Sequence, residues 1–176
     1  MNFLISKNTK IWDILRIFAN NIFSMMFSCP IQIRMSDLDP YNHVNNGSQC
    51  NYFDMGRSRF FEHAFQSHID WLTFKYVLVH VDLDFKLPIH FHDDLACESA
   101  ILEVGNSSFK MVQRLVDQHT GAVKTLCHAV VVYFDREANK SERIPDEDRE
   151  KLGEWVAPQG QPNPAQGNAL GDVERK

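Results

Sequence analysis

The strongest constraint on this chain is a helical stretch that begins at Asn45 or Asn46 and runs for about twenty residues. Phe53, Gly56, Phe60, Phe61, Ala64 and Phe65 share one stripe of it, while Asp54, Arg57, Ser58 and Glu62 fall mostly elsewhere. A helix this rich in phenylalanine must be wrapped, and Gly56 is a place where another backbone can come close. Before it, Ile31, Ile33 and Met35 alternate with Gln32, Arg34 and Ser36, which predicts a half-buried strand from Cys29 to Ser36. Residues 66–73 read as a loop. Four further strands are then expected over 76–86, 95–104, 107–117 and 122–135. The turns between them carry Pro88 with His92-Asp93-Asp94, then Gly105-Asn106, then His119-Thr120-Gly121. One strand, a long apolar helix and four consecutive strands predict an α+β domain, its helix wrapped by an antiparallel sheet of about five strands.

At 176 residues the chain fits one such domain, placed over 29–144. The net charge of -5 argues against broad nucleic-acid binding, which needs a basic footprint. Cys29, Cys50, Cys97 and Cys127 are scattered with no C-x-x-C pair, so they read as reduced, mostly buried thiols and point to the cytoplasm. Residues 1–28 form a separate segment in which Ile11, Ile14, Leu15, Phe18, Ile22, Met25 and Met26 recur at helical spacing. Asp13 and Arg16 make it too charged for a membrane span or a signal peptide. Three readings stay open for this N-terminal helix: packing on the domain or a partner, which is preferred, contact with a membrane surface through 11–26, or sequence upstream of a start at Met25 or Met26. Residues 145–176 are charged and then rich in Gly, Pro, Gln and Asn, which predicts a disordered tail.

The chemistry concentrates in Ser36–Gly47. It sets Asp37 and Asp39 in a turn-rich loop, then asparagines, then the helix. The first amides of a helix have no partner within it, and with the positive end of the helix dipole they can hold a developing negative charge. A candidate base or nucleophile and a candidate oxyanion site therefore lie a few residues apart. Asp37 and Asp39 are the two carboxylates available for the first role.

Asp37-Leu38-Asp39-Pro40-Tyr41-Asn42-His43-Val44-Asn45-Asn46, followed by Tyr52-Phe53 and Arg57, resembles the D-x-D-x-x-G-H-V-N-N…Y-F…R signature of hotdog-fold acyl-CoA thioesterases, the 4-hydroxybenzoyl-CoA thioesterase-like group. Gly105-Asn106-Ser107-Ser108-Phe109 is similar to that family's G-x-S-S segment, and Thr120-Gly121 to its last hairpin. The resemblance spans about residues 29–136 and implies a hotdog fold acting in lipid metabolism. It also implies a homodimer or dimer of dimers (a homotetramer), with active sites at the subunit interface. It puts the catalytic acid on Asp39 and the backbone oxyanion contacts on Asn46 and Gly47. Two positions depart from the pattern. Asn42 replaces the usual glycine and can take the same left-handed conformation, while Gln49 replaces an aromatic residue and bears on the shape of the acyl pocket.

A thioester carbonyl needs an attacking oxygen and a stabilised oxyanion. Asp39 can supply the first as general base on water or as a nucleophile giving a mixed anhydride. The substrate-contact candidates are Tyr41, His43, Asn45, Ser107 and Ser108. His43 either polarises the carbonyl and orients Asp39 or packs within the loop. Asn45 and Asn46 serve the turn and cap, and Ser107 or Ser108 either faces a neighbouring subunit's site or is an ordinary turn hydroxyl. Lys110, Arg114, Lys124, Lys140 and Arg143 are available to coenzyme A phosphates. His90-x-His92-Asp93-Asp94 is the best metal-like group, yet no further ligands accompany it, so it reads as a turn and neither metal nor other cofactor is expected. No G-x-S-x-G elbow is present. The expected activity is hydrolysis of an acyl-CoA to the free acid and CoA, with an acyl-carrier protein as a further possible donor. The rival readings are a hotdog enoyl-CoA hydratase or dehydratase and a non-catalytic acyl-CoA or acyl-carrier-protein binding module.

Overall fold

The computed structural model describes residues 26–157. The expected N-terminal helix up to residue 25 and the tail beyond 157 lie outside the described residues. The chain runs β1 (Phe27–Ile31), a 3-10 turn (Met35–Asp37), α1 (Asn46–Ala64), β2 (Tyr76–Phe85), β3 (Leu95–Val104), β4 (Ser108–Asp117), β5 (Val123–Asp135), β6 (Lys140–Ser141) and α2 (Asp146–Gly153). The strands form one antiparallel sheet in the order β1-β3-β4-β5-β2, with β6 pairing β5. A single long helix lies against this sheet, which is the hotdog architecture. Among the described residues no helix is long and apolar enough to cross a membrane.

The phenylalanine stripe does what its spacing predicts. Phe53, Phe60 and Phe61 are buried against Cys97, Ile101, Met111, Leu115, Cys127 and Val131 of the sheet. Burying each ring contributes roughly 2–3 kcal/mol. Towards the end of α1, Phe61 meets Phe65, Phe74, Tyr76 and Phe109 at centroid separations of 5.4 to 6.2 Å. Gly56 sets how close the helix can come, because a Cβ there would sit 2.3 Å from Cys97 Sγ and 2.8 Å from Cys97 Cβ. Cys29, Cys97 and Cys127 are buried free thiols, as expected, while Cys50 is exposed.

Arg57 departs from its expected place outside the apolar stripe. It is buried, with its guanidinium donating to Gln113 Oε1 at 2.6 Å and pairing with Asp54. Gln113, itself fully buried, donates to Phe53 O at 3.2 Å and Ser99 Oγ at 3.0 Å. The polar groups brought into this interface thus find their partners inside the core.

Two boundaries also differ from expectation. The first strand ends at Ile31 rather than Ser36, because Arg34 N donates to Asp37 Oδ2 at 2.8 Å and turns the chain away from the sheet. The disordered tail expected from 145 instead begins with α2, whose Leu152 is fully buried. Beyond α2 the chain repairs an exposed stretch of sheet. Among the described residues β1 pairs with β3 as far as Ser99, and beyond it Ile101 N donates to Trp155 O at 3.0 Å while Ala157 N donates to Ile101 O at 2.9 Å.

Gly56→Ala is expected to destabilise the fold by about 1–2 kcal/mol. Overpacking against Cys97 costs about 1–3 kcal/mol, which outweighs the roughly 1 kcal/mol gained in helix propensity. A thermal unfolding midpoint at or above wild type would contradict so close an approach. Burial pushes the Cys127 thiol up to about 11 and also raises Cys97 and Tyr76, the latter with help from its 2.7 Å hydrogen bond to Asp148. The folded state thus holds these protons more tightly than the unfolded chain does. The resulting stability is complete below about pH 8 and is lost as pH rises from about 8.5, the ordinary thiol value, towards 11 and beyond. Melting temperatures should fall between about pH 8 and 10.5, less steeply for Cys127→Ala; a flat profile contradicts this.

Candidate active site

The loop between the 3-10 turn and α1 is held by its own backbone together with the side chains of Asp37, Asp39 and Asn45. Asp39 N donates to His43 O at 2.8 Å and Asn42 N to Asp39 O at 2.9 Å, closing a tight turn. Asn42 sits in it at φ 61°, the left-handed conformation expected of a residue standing in for glycine. Within this turn the Asp39 carboxylate is pinned through one oxygen: Oδ1 accepts from Tyr41 N at 2.9 Å and from His43 N at 3.2 Å. Among the described residues no donor is bonded to Oδ2.

Asp37 is a brace. Its carboxylate accepts from Arg34 N at 2.8 Å and from the Tyr52 hydroxyl at 2.6 Å, and its carbonyl accepts from Asn45 N at 2.8 Å. Burial, followed by the hydrogen bond to Asp37, raises the Tyr52 phenol well above its ordinary value and keeps it a donor. The loop is also stitched to the β2–β3 connection by Val44 N, which donates to Ile89 O at 2.8 Å. Lys124 holds that connection through Pro88 O at 3.1 Å and Asp93 at 2.8 Å.

Asn45 is the N-cap of α1. Its Oδ1 accepts from Gly47 N at 2.7 Å, so the Gly47 amide expected in the oxyanion site is already committed. No hydrogen bond engages Asn46 N among the described residues, which leaves that amide at the positive end of a 19-residue helix. His43 lies edge-on to His90, centroids 4.9 Å apart, and Tyr41 is 81% exposed. The turn reading of 90–94 is the one the geometry shows: Asp93 accepts from His90 N at 3.0 Å and pairs with Lys124.

Ser107 and Ser108 do not join this cluster within one chain. Their hairpin is anchored beside Tyr133, whose amide donates to Ser107 O at 2.9 Å, and Ser108 pairs with Val132. The Asp39 loop lies instead by Lys124 and Thr125, at the other end of β5. Thr125 and Val132 are separated by roughly 23 Å, given a strand rise of about 3.3 Å per residue. Among the candidate phosphate contacts, Arg114 is 2% exposed and paired with Glu98, which removes it from that role. Lys110, Lys124 and Arg143 each pair with a carboxylate of their own chain.

Two residues of this region make contacts that sequence reasoning did not assign to them. Gln49 is buried, bonded to Val44 O at 3.1 Å and to the Thr125 hydroxyl. His90 read as part of a turn; only the fold brings it against His43.

Comparison with known proteins agrees with this fold. A family profile described as the thioesterase-like superfamily matches residues 33–156. The long-chain acyl-CoA thioesterase FadM of Escherichia coli strain K12 is 25% identical over 129 residues, covering 72% of this chain and 96% of that protein. A predicted thioesterase from Bacillus stearothermophilus superposes with a TM-score of 0.69 at 27% identity, over 74% of this chain and 96% of that one. A thioesterase from Thermus thermophilus, solved with coenzyme A and Zn, gives 0.63 at 25% identity, over 71% and 95%. With the profile spanning well over half its length and its sheet wrapped on one long helix, the chain belongs to the thioesterase-like superfamily, the hotdog-fold thioester hydrolases.

Proposed function

We propose that the chain hydrolyses an acyl-CoA to the free acid and CoA, with Asp39 as the catalytic carboxylate and the Asn46 amide as the oxyanion donor. The observation that carries this reading is the fixing of Asp39 Oδ1 by two backbone amides, at 2.9 and 3.2 Å, in the loop that feeds the capped end of α1. The likeness to FadM supports an acyl-CoA substrate, and the coenzyme A held by the Thermus relative supports the same class. In the general-base route, Asp39 Oδ2 takes a proton from water and the resulting hydroxide attacks the carbonyl carbon. The oxyanion forms at the helix terminus, and collapse expels the CoA sulfur, which recovers the proton. In the nucleophilic route Oδ2 attacks the carbonyl carbon and the C–S bond breaks to expel CoA thiolate; water then opens the mixed anhydride to the free acid and the Asp39 carboxylate, and the proton released goes to the thiolate. One such amide donor typically contributes about 3 kcal/mol to the transition state.

The site is completed by a second copy in this reading. β2 is an edge strand of ten residues on which Val79 is 58% and Phe85 45% exposed, an open template for strand pairing. Antiparallel pairing of β2 with its copy brings opposite ends of the two sheets together. That is the arrangement by which one chain's Ser107 and Ser108 approach its partner's Asp39, and it supports a homodimer.

Asp39→Asn keeps an acceptor for both amides, so it should fold normally while lowering kcat at least about 100-fold in a thiol-release assay over short, long and aromatic acyl-CoAs. Full activity in that variant, or no turnover by wild type, contradicts the assignment. Sedimentation should show a dimer, and Val79→Lys should weaken the dimer and turnover together; an active monomer contradicts the shared site.

A further inference from the structure

The Val44–Asn45 peptide group is bonded on both sides. Its N–H donates to Asp37 O at 2.8 Å, and its carbonyl accepts from Gln49 Nε2 at 3.1 Å. Gln49 in turn accepts from the Thr125 hydroxyl through Oε1, and both side chains are buried, at 4% and 0% exposure. Chemistry fixes the direction of this relay. A main-chain carbonyl only accepts, so the amide NH2 must face Val44, leaving Oε1 for the hydroxyl proton. A buried carboxamide is tolerated because both ends are satisfied. What it adds over an apolar side chain of the same size is orientation. This peptide group joins the loop that holds Asp39 to the residue that caps α1, and Thr125 ties it to the start of β5.

We propose that Gln49 is a positioning residue for thioester hydrolysis, its carboxamide locking the Val44–Asn45 peptide group and so the direction of the Asn46 amide. The proposal rests on the thioesterase reading, and its test has an arm that does not depend on turnover.

In that arm, amide hydrogen exchange is followed by mass spectrometry in Gln49→Met, Thr125→Val and Thr125→Ser. Gln49→Met keeps the length of the side chain and loses its hydrogen bonds. Gln49→Met and Thr125→Val should speed exchange over residues 43–50 by about tenfold, the scale of one net hydrogen bond. β3 and β4 should keep wild-type rates, and Thr125→Ser, which retains the hydroxyl, should match wild type. In the kinetic arm, Gln49→Met and Thr125→Val should lower kcat by about tenfold with KM within about twofold, and Thr125→Ser should keep the wild-type rate. Gln49→Glu sets a carboxylate against the Val44 carbonyl, and protonation returns the lost donor. Its rate relative to wild type should therefore climb as pH is lowered from about 8 to 5.5. Wild-type exchange over 43–50 in Gln49→Met and Thr125→Val overturns the tether. So does a rise in KM alone, or a pH-independent Gln49→Glu ratio. Absence of turnover in wild type would instead strike the thioesterase reading, and the exchange rates would still decide the tether.

Discussion

The backbone amides between Asp37 and Gln49 are nearly all bonded, and these bonds fix a carboxylate in the loop that leads into a helix terminus. Asp39 is gripped by amides two and four residues ahead of it, Asn45 is gripped by Asp37, and Val44 is gripped by both Ile89 and Gln49. None of these contacts is individually strong; a net hydrogen bond contributes about 1 kcal/mol. Together they leave the loop few ways to move. Among the described residues Asp39 Oδ2 and Asn46 N are among the atoms that this network leaves unbonded, and they are the two that the proposed chemistry uses.

That loop would have nothing to hold to if α1 did not lie flush on the sheet. The approach is permitted by the missing side chain at Gly56, which sits over Cys97, and is fixed by the Arg57–Gln113–Ser99 group in the same interface. Phenylalanine supplies the burial and the polar group supplies the register. A helix free to rotate by one position would carry its N-terminus, and the Asn46 amide, away from Asp39.

Much of this was legible in the sequence because it is local. The stripe of phenylalanines, the alternation in four strands, the left-handed Asn42 and the capping Asn45 all follow from residues within a turn or two of one another. Long-range facts were not. Arg57 reads as surface until Gln113, 56 residues away, is placed beside it. The charged stretch after Pro145 reads as tail, because Leu152, fully buried, only has meaning once the chain around Trp155 is seen to pair with Ile101 of β3. The first strand was overrun for a different reason: alternation continues to Ser36, but a side-chain cap from Asp37 takes over the backbone. Ser107 and Ser108 show the limit most plainly, since which end of a sheet a hairpin occupies is a property of topology rather than of motif.

The most direct test of the account is a crystal structure with a non-hydrolysable acyl-CoA analogue whose carbonyl is retained beside a methylene in place of sulfur. The account predicts that carbonyl oxygen about 3 Å from Asn46 N, with Asp39 Oδ2 of the same chain facing the carbonyl carbon and the partner's Ser107 and Ser108 closing the site. An analogue bound with its carbonyl remote from the start of α1, or with Asp39 turned away from it, would contradict the account.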